Sequence, residues 1–518
     1  MKQILSIELG STRIKSLLID EHANELAKGS YEWENELIDG LWCYSLEDAI
    51  HGLQESFADL VRNYAQPIRR PDAIGISGMM HGYLVLDRED RQLAPFRTWR
   101  NTNTPRAAEE LSQLFSFNVP LRWSVAQYYQ SVLDGLDHVK DIAFMTTLAG
   151  YIHYRLTGKK VLGINDASGM FPVRDGDYDQ THLLAFNRLL AQHGIHTDFY
   201  SLLPTVLLAG EAAGTLTEEG ARLLDPSGIL EAGIPLCPPE GDMGTGMIAT
   251  GSVRARTAQI SSGTSANLTV VLEHPLTHYY PEIDVIATPD GLPCAMLHAN
   301  NCTTEINEWV NLFSEVLDLF GATYDKASLF TRLFELSASS SSDLGGLVAY
   351  NLLAGEPLAK TEHGAPMVVR APSGEMTLAN FMAAQIYSAI ATLSLGMDIL
   401  KSEGIGIDSV IAHGGYYKTP LIGQRATSAL LDAPITVMAS ASEGGAFGMA
   451  LLALYSLHPD VPLACFLDGV LSHLERSVVM ADEEEKEKWK SFMKSYTALL
   501  PSECNAAIAM HKQTASNQ

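Results

Sequence analysis

Two segments of the chain are built alike, and this internal match constrains the fold more than any other feature. Residues 4–20 have the sequence ILSIELGSTRIKSLLID, and residues 258–272 have the sequence AQISSGTSANLTVVL. Each combines a β-rich run, a tight turn of one glycine and two hydroxyl residues, and a second β-rich run, which predicts a β-hairpin. The distance between the turns, at Gly10 and Gly263, is far longer than the period of a solenoid repeat. The sequence therefore predicts two large domains of related architecture.

The remainder of the chain alternates short strand-like runs with helical stretches, a pattern typical of α/β domains. Residues 378–404, for example, form a long apolar helical segment that ends in glycine and precedes a strand-like run. We predict an N-terminal domain over residues 1–250 and a C-terminal domain over residues 251–500. Residues 501–518 are expected to form a tail, disordered from residue 511 because its composition is polar.

Charge and cysteine usage narrow the class of protein. The chain has 518 residues, of which 35 are basic and 61 acidic, and its formal net charge is −26. Nucleic acids and anionic membranes are polyanions, so neither is expected as a partner. No run approaches the roughly 20 uninterrupted apolar residues that span a bilayer, and the strand-like start lacks the apolar core of a signal peptide. The six cysteines have no CxxC spacing, which favours free thiols and a cytoplasmic location.

The two hairpin turns are candidates for binding phosphate. Glycine lets the backbone approach a ligand closely, and the N–H groups and hydroxyls that follow it can face phosphate oxygens. These positions are Gly10, Ser11 and Thr12 in the first turn and Gly263, Thr264 and Ser265 in the second. A purely connecting role for each turn is the alternative. The chain contains neither the P-loop motif G-x-x-x-x-G-K-[ST] nor HExxH.

Eight short motifs occur in one order along the chain. They are the Gly-Ser-Thr turn, GISGMMHG (75–82), TWRNTN (98–103), NDASG (165–169), PEGDMGTG (239–246), ISSGTS (260–265), HGGYYKTPL (413–421) and EGGAFG (443–448). In this order, over about residues 3–455, the chain resembles the FGGY carbohydrate kinases, the xylulokinases most closely. The resemblance implies an α/β fold of two actin-like domains with a catalytic cleft between them. It also implies ATP and Mg²⁺ as cofactors, a small sugar such as the ketopentose xylulose as substrate, and a homodimer as an option.

The resemblance assigns the reacting carboxylates. Asp242 follows an apolar strand and begins a glycine-punctuated helix, and at this position the family has the general base that accepts the proton of the sugar hydroxyl. Its alternative role is that of a helix N-cap. Glu8 stands where the family usually has an aspartate that helps to hold Mg²⁺. A glutamate can still present a carboxylate to a hydrated Mg²⁺, so the resemblance implies Glu8 and Asp242 as the metal-binding residues.

The resemblance also assigns residues to the sugar. They are Met80, His81, Trp99, Arg100, Asn101 and Asp166. The xylulokinases have Trp-Asn-Asp where this chain has Trp99, Arg100 and Asn101, so substrate choice is expected to differ with the last two. Structural alternatives remain open for these positions: a structural histidine, a surface arginine and an Asp-x-Ser turn.

On the nucleotide side, residues 413–421 resemble the family sequence G-G-G-A-K-S-P-L with one residue inserted. The residues that this implies for nucleotide binding are Gly414, Gly415 and Lys418. His413 replaces the first glycine of the family pattern. Glu443, Gly444 and Gly445 match the start of a nucleotide-side helix, for which helix packing is the alternative role.

Two other functions remain open. Arg100 and Asn101 favour a kinase for another ketose or polyol, such as ribulose, erythrulose or glycerol. Glu8 and His413, as departures from the family pattern, favour a nonenzymatic actin-like nucleotide switch that presents a surface to a protein partner. A switch needs no polar residues facing a sugar, so the presence of Asp242 together with His81 and Asp166 is the sequence feature that distinguishes a sugar kinase from a switch.

Overall fold

The computed structural model describes residues 2–68, 70–438 and 444–516, and the chain divides into two compact units. The first unit contains Met1–Arg254, His278–Cys294 and Ala441–His473, and the second contains Ala255–Thr277, Ala295–Ser440 and Leu474–Gln518. Two segments from the C-terminal half of the chain therefore belong to the first unit. The predicted division at residue 250 takes no account of these returns, because a sequence pattern shows the order of elements but not what they pack against.

The described residues form both helices and strands throughout. The strands are β1 (Gln3–Leu9), β2 (Arg13–Asp20), β3 (Glu25–Glu32), β4 (Glu36–Ile38), β5 (Leu41–Tyr44), β6 (Ala73–Gly78), β7 (Leu84–Leu86), β8 (Phe96–Arg97), β9 (Phe144–Thr146), β10 (Val161–Gly163), β11 (Val173–Arg174), β12 (Asp177–Tyr178), β13 (Thr205–Leu207), β14 (Glu240–Gly241), β15 (Thr257–Ser262), β16 (Ala266–Val271), β17 (Asp284–Ala287), β18 (Pro293–Ala299), β19 (Leu347–Tyr350), β20 (Met367–Arg370), β21 (Ser409–His413), β22 (Ile435–Met438) and β23 (Arg476–Val479). The α-helices are α1 (Leu46–Asn63), α2 (Pro105–Phe115), α3 (Ser124–Leu133), α4 (Leu148–Thr157), α5 (Ile164–Ser168), α6 (Gln180–Gln192), α7 (Glu218–Leu224), α8 (Asp242–Thr250), α9 (Thr304–Leu319), α10 (Lys326–Ser337), α11 (Leu378–Ser402), α12 (Ile422–Leu431), α13 (Gly444–Tyr455), α14 (Leu463–Leu471) and α15 (Glu483–Ser516).

The first unit is organised around a five-stranded sheet with the order β14-β6-β1-β2-β3. Strand β1 is antiparallel to β2, with Glu8 opposite Lys15, and parallel to β6, with Glu8 beside Ser77. Strand β14 extends the parallel side of the sheet. Helix α1 packs on β2 and β3, and α13 packs on β1 and β6. The apolar residues of β1 are fully buried between these layers: Ile4, Leu5, Ile7 and Leu9.

The second unit repeats this arrangement. Six of its strands form one sheet in the order β18-β16-β15-β21-β22-β23. Strand β15 is antiparallel to β16 and parallel to β21, and β21 is parallel to β22. When β15 is matched to β1, strands β16, β18, β21 and β22 occupy the same places in their sheet as β2, β3, β6 and β14 occupy in the first sheet. This equivalence confirms the prediction of two related, actin-like α/β units, each opening on one of the matched hairpins.

Helix α11 is long and apolar enough to cross a membrane, judged by length and composition alone. In the second unit, however, 83% of its most apolar window is buried. Its buried face includes apolar and small residues along the whole helix. Burial of this kind is typical of the core helix of a globular domain.

Helix α15 continues through Ser516, so residues 501–516, predicted as part of a tail, are helical. The carboxylate of Glu503 accepts a hydrogen bond of 2.8 Å from the N–H group of Ala365. Ala507 is also buried. These contacts fasten the helix to the rest of the second unit, and a polar composition alone does not reveal them.

Helices α13 and α8 of the first unit cross at very close range. A Cβ atom on Gly448 would lie 1.8 Å from the carbonyl oxygen of Thr245, and one on Gly75 would lie 2.8 Å from the side chain of Met449. The hydroxyl of Ser6 donates a 2.7 Å hydrogen bond to the carbonyl of Ala446. Among the glycines of residues 443–448, Gly448 is therefore required by the close packing of the two backbones.

A buried carboxyl group joins strand β14 to helix α5. Oε2 of Glu240 accepts a 3.0 Å hydrogen bond from the N–H group of Asp166, and a Cβ atom on Gly163 would lie 2.3 Å from Cδ of Glu240. Burial, together with the charge of Asp166, raises the pKa of Glu240 to about 8. Burial likewise raises the pKa of Asp166 well above its usual range, opposed by a 2.6 Å hydrogen bond from Thr147. Both acids hold their protons more tightly in the folded chain than in the unfolded chain.

The substitution Gly448→Ala should destabilise the first unit by about 2 kcal/mol or more, because the added methyl group collides with a backbone carbonyl that cannot rotate away. Gly444→Ala, on the same helix, is the matched control. A Cβ atom there meets nothing within 4 Å, and alanine favours helix, so its stability should stay equal or rise by up to about 1 kcal/mol. Urea unfolding followed by circular dichroism measures both. Equal stability of the two variants would contradict the close packing of α13 on α8.

The substitution Glu240→Gln should change how stability depends on pH. Folded Glu240 keeps its proton up to about pH 8, whereas the unfolded chain releases it near about pH 4.3. The folded state therefore binds more protons between these values, and its stability falls as pH rises. Glutamine cannot ionise, so the stability of Glu240→Gln relative to wild type should rise between about pH 5.5 and 8, by at most about 1.4 kcal/mol per pH unit. Glu218→Gln, at the exposed start of α7, is the control, and a pH-independent difference for Glu240→Gln would refute the assignment.

Candidate active site

Asp242 is the first residue of helix α8 and follows strand β14 directly. Gly241 occupies the N-cap position, and the N–H group of Gly244 donates a 2.8 Å hydrogen bond to Oδ1 of Asn165. Asn165, rather than Asp242, is thus the side chain that satisfies this donor in the first turn of the helix. The side chain of Asp242 is exposed, and its Oδ1 accepts a 3.3 Å hydrogen bond from the N–H group of Met80.

The glycines around Asp242 are required by close contacts. A Cβ atom on Gly241 would lie 2.2 Å from Cγ of Met80, and one on Gly244 would lie 2.6 Å from Cγ of Asn165. Because glycine alone fits at both places, the backbone on either side of Asp242 packs directly against two neighbouring segments. This packing holds the carboxylate at a defined position at the end of the sheet.

The surroundings of Asp242 strengthen it as a base. Its pKa is raised, chiefly because the protein around it limits hydration of the carboxylate. Hydrogen bonds from backbone N–H groups, including that of Met80, and the positive charge of Arg122 oppose this shift. The carboxylate retains an open surface, so its desolvation is partial. A partly desolvated carboxylate that still faces solvent suits the acceptance of a proton from a bound hydroxyl.

His81 is buried, and both of its ring nitrogens are occupied by protein. Nδ1 lies 3.1 Å from the carbonyl oxygen of Gly169, and Nε2 lies 3.2 Å from Nε of Arg122. A carbonyl only accepts and a guanidinium only donates, so His81 is neutral with its proton on Nδ1. Burial, with a further contribution from Arg122, lowers the pKa of His81 to about 3. No ring nitrogen remains for a sugar, so the predicted direct contact of His81 is replaced by a supporting role for Arg122.

Arg122 is a candidate site residue that the sequence motifs do not identify. Its Nη2 forms an ion pair with Oδ2 of Asp284, and Asn118 donates a 2.8 Å hydrogen bond to Oδ1 of the same aspartate. Asp284 lies on β17, in one of the two segments that return to the first unit. The one available signal is that Arg122 is the sole charged residue in residues 116–133, since an isolated charge in such a run needs a specific partner.

The Trp-Arg-Asn segment has two exposed side chains, Trp99 and Arg100, and one buried side chain, Asn101. The side chain of Asn101 is buried, accepts a hydrogen bond from the N–H group of Trp42 and donates one to its carbonyl, both at 2.8 Å. Arg100 stacks over the ring of Trp42 at 4.3 Å. Trp99 is 42% exposed, and its Nε1 donates a 3.2 Å hydrogen bond to the hydroxyl of Ser11. Among the three, Asn101 has a structural role, whereas Trp99 extends beside the first hairpin turn.

Two further residues predicted to bind the sugar are buried. Met80 is 3% exposed and approaches Asp242 through its backbone N–H group. Asp166 has no exposed surface, and its Oδ2 is engaged by Thr147. The neighbouring Asn165 is equally buried and donates a 2.7 Å hydrogen bond to the carbonyl of Ala287. Oδ1 of Asp166 is buried and has no hydrogen-bond partner among the described residues, so the sugar-binding role of Asp166 stays a prediction.

The first hairpin turn has its carbonyl groups fixed by the protein. The carbonyl of Gly10 accepts a 2.7 Å hydrogen bond from Nε1 of Trp33, and that of Thr12 accepts one of 3.2 Å from the N–H group of the same residue. The carbonyl of Ser11 accepts a hydrogen bond from the hydroxyl of Tyr44, which stacks on Trp33. The C=O and N–H groups of a trans peptide point in opposite directions. The N–H groups that follow these carbonyls therefore point away from the protein layer.

The second hairpin turn is fixed in the same way. The carbonyl of Gly263 accepts hydrogen bonds from the N–H group and the hydroxyl of Thr303, at 3.0 and 2.7 Å, and that of Thr264 accepts one of 2.9 Å from Cys302. In the described part of the chain, the hydroxyls of Thr264 and Ser265 make no hydrogen bond. A Cβ atom on Gly263 would meet nothing within 4 Å. Outward N–H groups beside open space form a concavity suited to an anion.

The residues predicted to contact the nucleotide differ in what the structure requires of them. Gly414 has a φ of +106°, and a Cβ atom on it would lie 2.3 Å from the carbonyl of Ser262, so the fold requires glycine. A Cβ atom on Gly415 would meet nothing within 4 Å. Gly415 begins a short 3-10 turn that ends before the exposed Lys418. Gly415 and Lys418 are therefore accessible on the second unit, close along the chain to the strand β21 that pairs with β15.

The carboxylate of Glu8 lies on β1, 3.9 Å from Nζ of Lys15, and it lines a pocket of about 990 Å³ together with Gly10 and Thr12. A Cβ atom on Gly445 would lie 1.9 Å from its Oε1, so it also borders the start of α13. Glu443 falls outside the described residues. No cluster of three or more metal-binding side chains occurs among the described residues. A Mg²⁺ site usually takes only one or two carboxylates from the protein, with several waters, so the predicted pair, Glu8 and Asp242, is sufficient in the number and type of ligands.

Comparison with known proteins identifies relatives over nearly the whole chain. One relative is the xylulose kinase of Escherichia coli (strain K12), which is 24% identical over 544 residues, covering 96% of this chain and 99% of the relative. The crystal structure of a xyloylose kinase from Brucella ovis superposes with a TM-score of 0.77 at 21% identity, covering 96% and 99% of the two chains. A gluconate kinase from Lactobacillus acidophilus superposes with a TM-score of 0.80 at 16% identity, covering 98% and 99%.

Family comparison covers both units. The N-terminal domain of the FGGY family of carbohydrate kinases matches residues 3–248, and the C-terminal domain of the same family matches residues 258–457. The matched domains begin just before the first hairpin and at the start of the second. The chain belongs to the FGGY family of carbohydrate kinases and is a phosphotransferase with an alcohol group as acceptor.

Proposed function

We propose that the protein transfers the γ-phosphoryl group of ATP to a hydroxyl of a small sugar, with a ketopentose such as xylulose as the first candidate. The observation that carries this proposal is the placement of Asp242, a partly desolvated carboxylate held by close backbone packing at the end of β14. The relative from Escherichia coli is a xylulose kinase, which supports the choice of sugar. The acceptor, the base and the cofactors are tested below.

Asp242 is proposed as the general base. Its Oδ atoms accept the proton of the attacking hydroxyl as the oxygen approaches phosphorus, and the bond to the leaving phosphate breaks. The N–H group of Met80 orients the carboxylate through Oδ1. Oδ2 receives no hydrogen bond from Met80 and is the oxygen proposed to meet the substrate. Mutating the carboxylate should therefore affect chemistry far more than nucleotide binding.

The two hairpin turns are proposed to bind phosphate oxygens. Protein donors hold their carbonyl groups, so their N–H groups are preorganised and need no rearrangement when an anion arrives. Gly414, Gly415 and Lys418 are proposed for the rest of the nucleotide. When bound, Mg²⁺ supplies positive charge to the phosphate oxygens, and Glu8 and Asp242 are the carboxylates that would hold it. Lys15 near Glu8 contributes a second positive charge on the same strand pair.

A kinase for another ketose or polyol is the second candidate. The observation in its favour is that Asn101 is buried on the backbone of Trp42, whereas the exposed Arg100 stacks on the ring of Trp42, so the polar groups at these two positions differ from the Asn-Asp of the xylulokinase pattern. A nonenzymatic nucleotide switch has no need for a desolvated base such as Asp242. ATP consumption measured against a panel of ketoses and polyols separates all three functions.

The substitution Asp242→Asn should lower kcat for sugar phosphorylation by roughly 10²- to 10⁴-fold, because the amide cannot accept the proton. The affinity for ATP measured without Mg²⁺ should stay within about twofold of wild type, since the phosphate oxygens are assigned to the hairpin turns and not to Asp242. Asp179→Asn is the matched control: Asp179 caps helix α6 by accepting from Thr181 and His182, and its loss should affect stability more than kcat. Steady-state kinetics with a coupled ADP assay decide the matter. A kcat for Asp242→Asn close to that of wild type would eliminate it as the base.

The substitution Gly263→Val should weaken ATP binding by roughly tenfold or more while the fold stays intact. The side chain enters open space, where it obstructs a phosphate and costs charged hydrogen bonds worth about 1.5–3 kcal/mol each. Gly469→Val on helix α14 is the control, because a Cβ atom there also meets nothing within 4 Å. Titration with a non-hydrolysable ATP analogue by calorimetry measures the affinity. Unchanged affinity for Gly263→Val would remove this turn from the nucleotide site.

A further inference from the structure

The guanidinium group of Arg122 is fixed on two sides and open on the others. Nε donates to Nε2 of His81 at 3.2 Å, and Nη2 forms the ion pair with Asp284. The remaining N–H groups, two on Nη1 and one on Nη2, make no hydrogen bond with the residues that the structure describes. The side chain is 28% exposed. A rigidly held guanidinium with unused donors is well prepared to bind oxygen atoms of a ligand.

Each support of Arg122 is itself held in place. His81 is oriented by the carbonyl of Gly169, and a Cβ atom on Gly169 would lie only 2.6 Å from Nδ1, so the contact is close. Asn118 donates hydrogen bonds to Oδ1 of Asp284 and to the carbonyl of Ile283, at 2.8 and 3.1 Å. These contacts connect four separate segments of the first unit, at His81, residues 118–122, Gly169 and residues 283–284. A side chain whose orientation is fixed by so many contacts is typical of a functional group rather than of a surface arginine.

Arg122 acts on the same space as the reacting carboxylate. Its Nε contacts Nε2 of His81 at 3.2 Å, and the N–H group of the adjacent Met80 contacts Oδ1 of Asp242 at 3.3 Å. Met80 connects them along the chain, since its N–H group donates to Asp242 and His81 is the next residue. A ligand whose hydroxyl meets Asp242 therefore presents its other oxygens to the open side of Arg122.

The charges at this place favour an uncharged ligand. Asp284 compensates Arg122 directly, His81 is neutral, and Asp242 adds a negative charge. No second cation in the described part of the first unit pairs with Asp284 or His81. A sugar acid would bring its carboxylate to a place where the positive charge is already balanced, whereas neutral hydroxyls accept hydrogen bonds from the guanidinium without charge repulsion.

We propose that Arg122 orients the phosphoryl acceptor by donating hydrogen bonds to its oxygen atoms, and that Asp284 restricts the acceptor to uncharged polyhydroxy compounds rather than aldonic acids. Arg122 is the residue that touches the substrate, and His81 and Asp284 are positioning residues. The inference rests on the proposed function, because it describes the acceptor side of that reaction.

The first experiment tests Arg122 by separating acceptor binding from nucleotide binding. Arg122→Gln should raise KM for the best neutral acceptor by roughly 10- to 100-fold, as expected for the loss of charged hydrogen bonds, whereas KM for ATP should rise far less. Arg122→Lys keeps the positive charge but lacks the forked array of guanidinium N–H donors, so it should recover only part of the affinity for the acceptor. Arg254→Gln is the matched control, since it removes another arginine of the first unit that pairs with an aspartate, Asp468, at 2.6 Å.

The second experiment tests the charge rule. Wild type should show a higher kcat/KM for neutral ketoses and polyols than for gluconate or xylonate. Asp284→Asn leaves the charge of Arg122 uncompensated, so the ratio of kcat/KM for aldonic acids to that for neutral acceptors should rise by roughly tenfold or more. His81→Asn, which disturbs the orientation of Arg122 but not its charge balance, should raise KM for both acceptor classes without changing their ratio.

Each outcome decides between the claims. An unchanged acceptor KM for Arg122→Gln, or an equal rise of KM for ATP, overturns the role of Arg122 while leaving the proposed function intact. A wild-type preference for aldonic acids, or no change of the ratio in Asp284→Asn, overturns the charge rule. Failure of every ketose, polyol and aldonic acid to stimulate ATP consumption overturns the proposed function and this inference together. Melting temperatures of all variants identify any that do not fold, and Arg122→Lys then carries the test of Arg122.

Discussion

The side chain of Asn165 joins the parts of the first unit on which its candidate active site depends. Its Oδ1 accepts from the N–H group of Gly244 in the first turn of α8, and its Nδ2 donates to the carbonyl of Ala287 on β17. The first contact fixes the helix that begins with Asp242. The second fixes the returning strand that carries Asp284 and, through it, the orientation of Arg122. The amide is fully buried, and both its oxygen and its nitrogen are hydrogen-bonded. Breaking either contact would destabilise the fold, because a buried polar group would then be left unsatisfied.

The two hairpin turns apply a different constraint, namely the opposition of C=O and N–H in a trans peptide. In each turn the protein contributes donors that hold the carbonyls: an indole, a backbone N–H and a phenol in the first, and a threonine and a cysteine N–H in the second. The anchoring residues, Trp33, Tyr44 and Thr303, are unrelated in type and position. In both turns, however, they hold the carbonyl groups and so fix the direction in which the N–H groups point. The two hairpins therefore share the orientation of their peptide groups as well as the Gly-hydroxyl-hydroxyl motif.

The fold can be predicted from the sequence because it follows from local patterns of residues. Two equal hairpins and alternating strands and helices lead to two related α/β units, and the equivalent strand orders confirm this. The site is less predictable, because its residues act through contacts distant in sequence. His81 and Asp166 have the expected positions along the chain, but their polar atoms face Arg122, Gly169 and Thr147. The ion-pair partner of Arg122, Asp284, lies 162 residues further along the chain, and no local pattern indicates that β17 returns to the first unit.

The chain has a net charge of −26, so the proposed ATP site has to meet the phosphates locally, since the overall field of the protein repels them. Outward backbone N–H groups can bind the phosphates without adding a charge to the protein. Their interaction with the phosphates also depends less on the distant acidic surface than the interaction of a mobile lysine would. The acceptor side follows the opposite rule: its arginine is balanced by an aspartate, and its nearby acids Asp166 and Glu240 hold their protons because burial raises the pKa of each. Asp242, with an open surface, is then the carboxylate among these three that is best placed to be ionised and to meet a hydroxyl. Selective burial, rather than the choice of residue type, distinguishes the proposed base from its acidic neighbours.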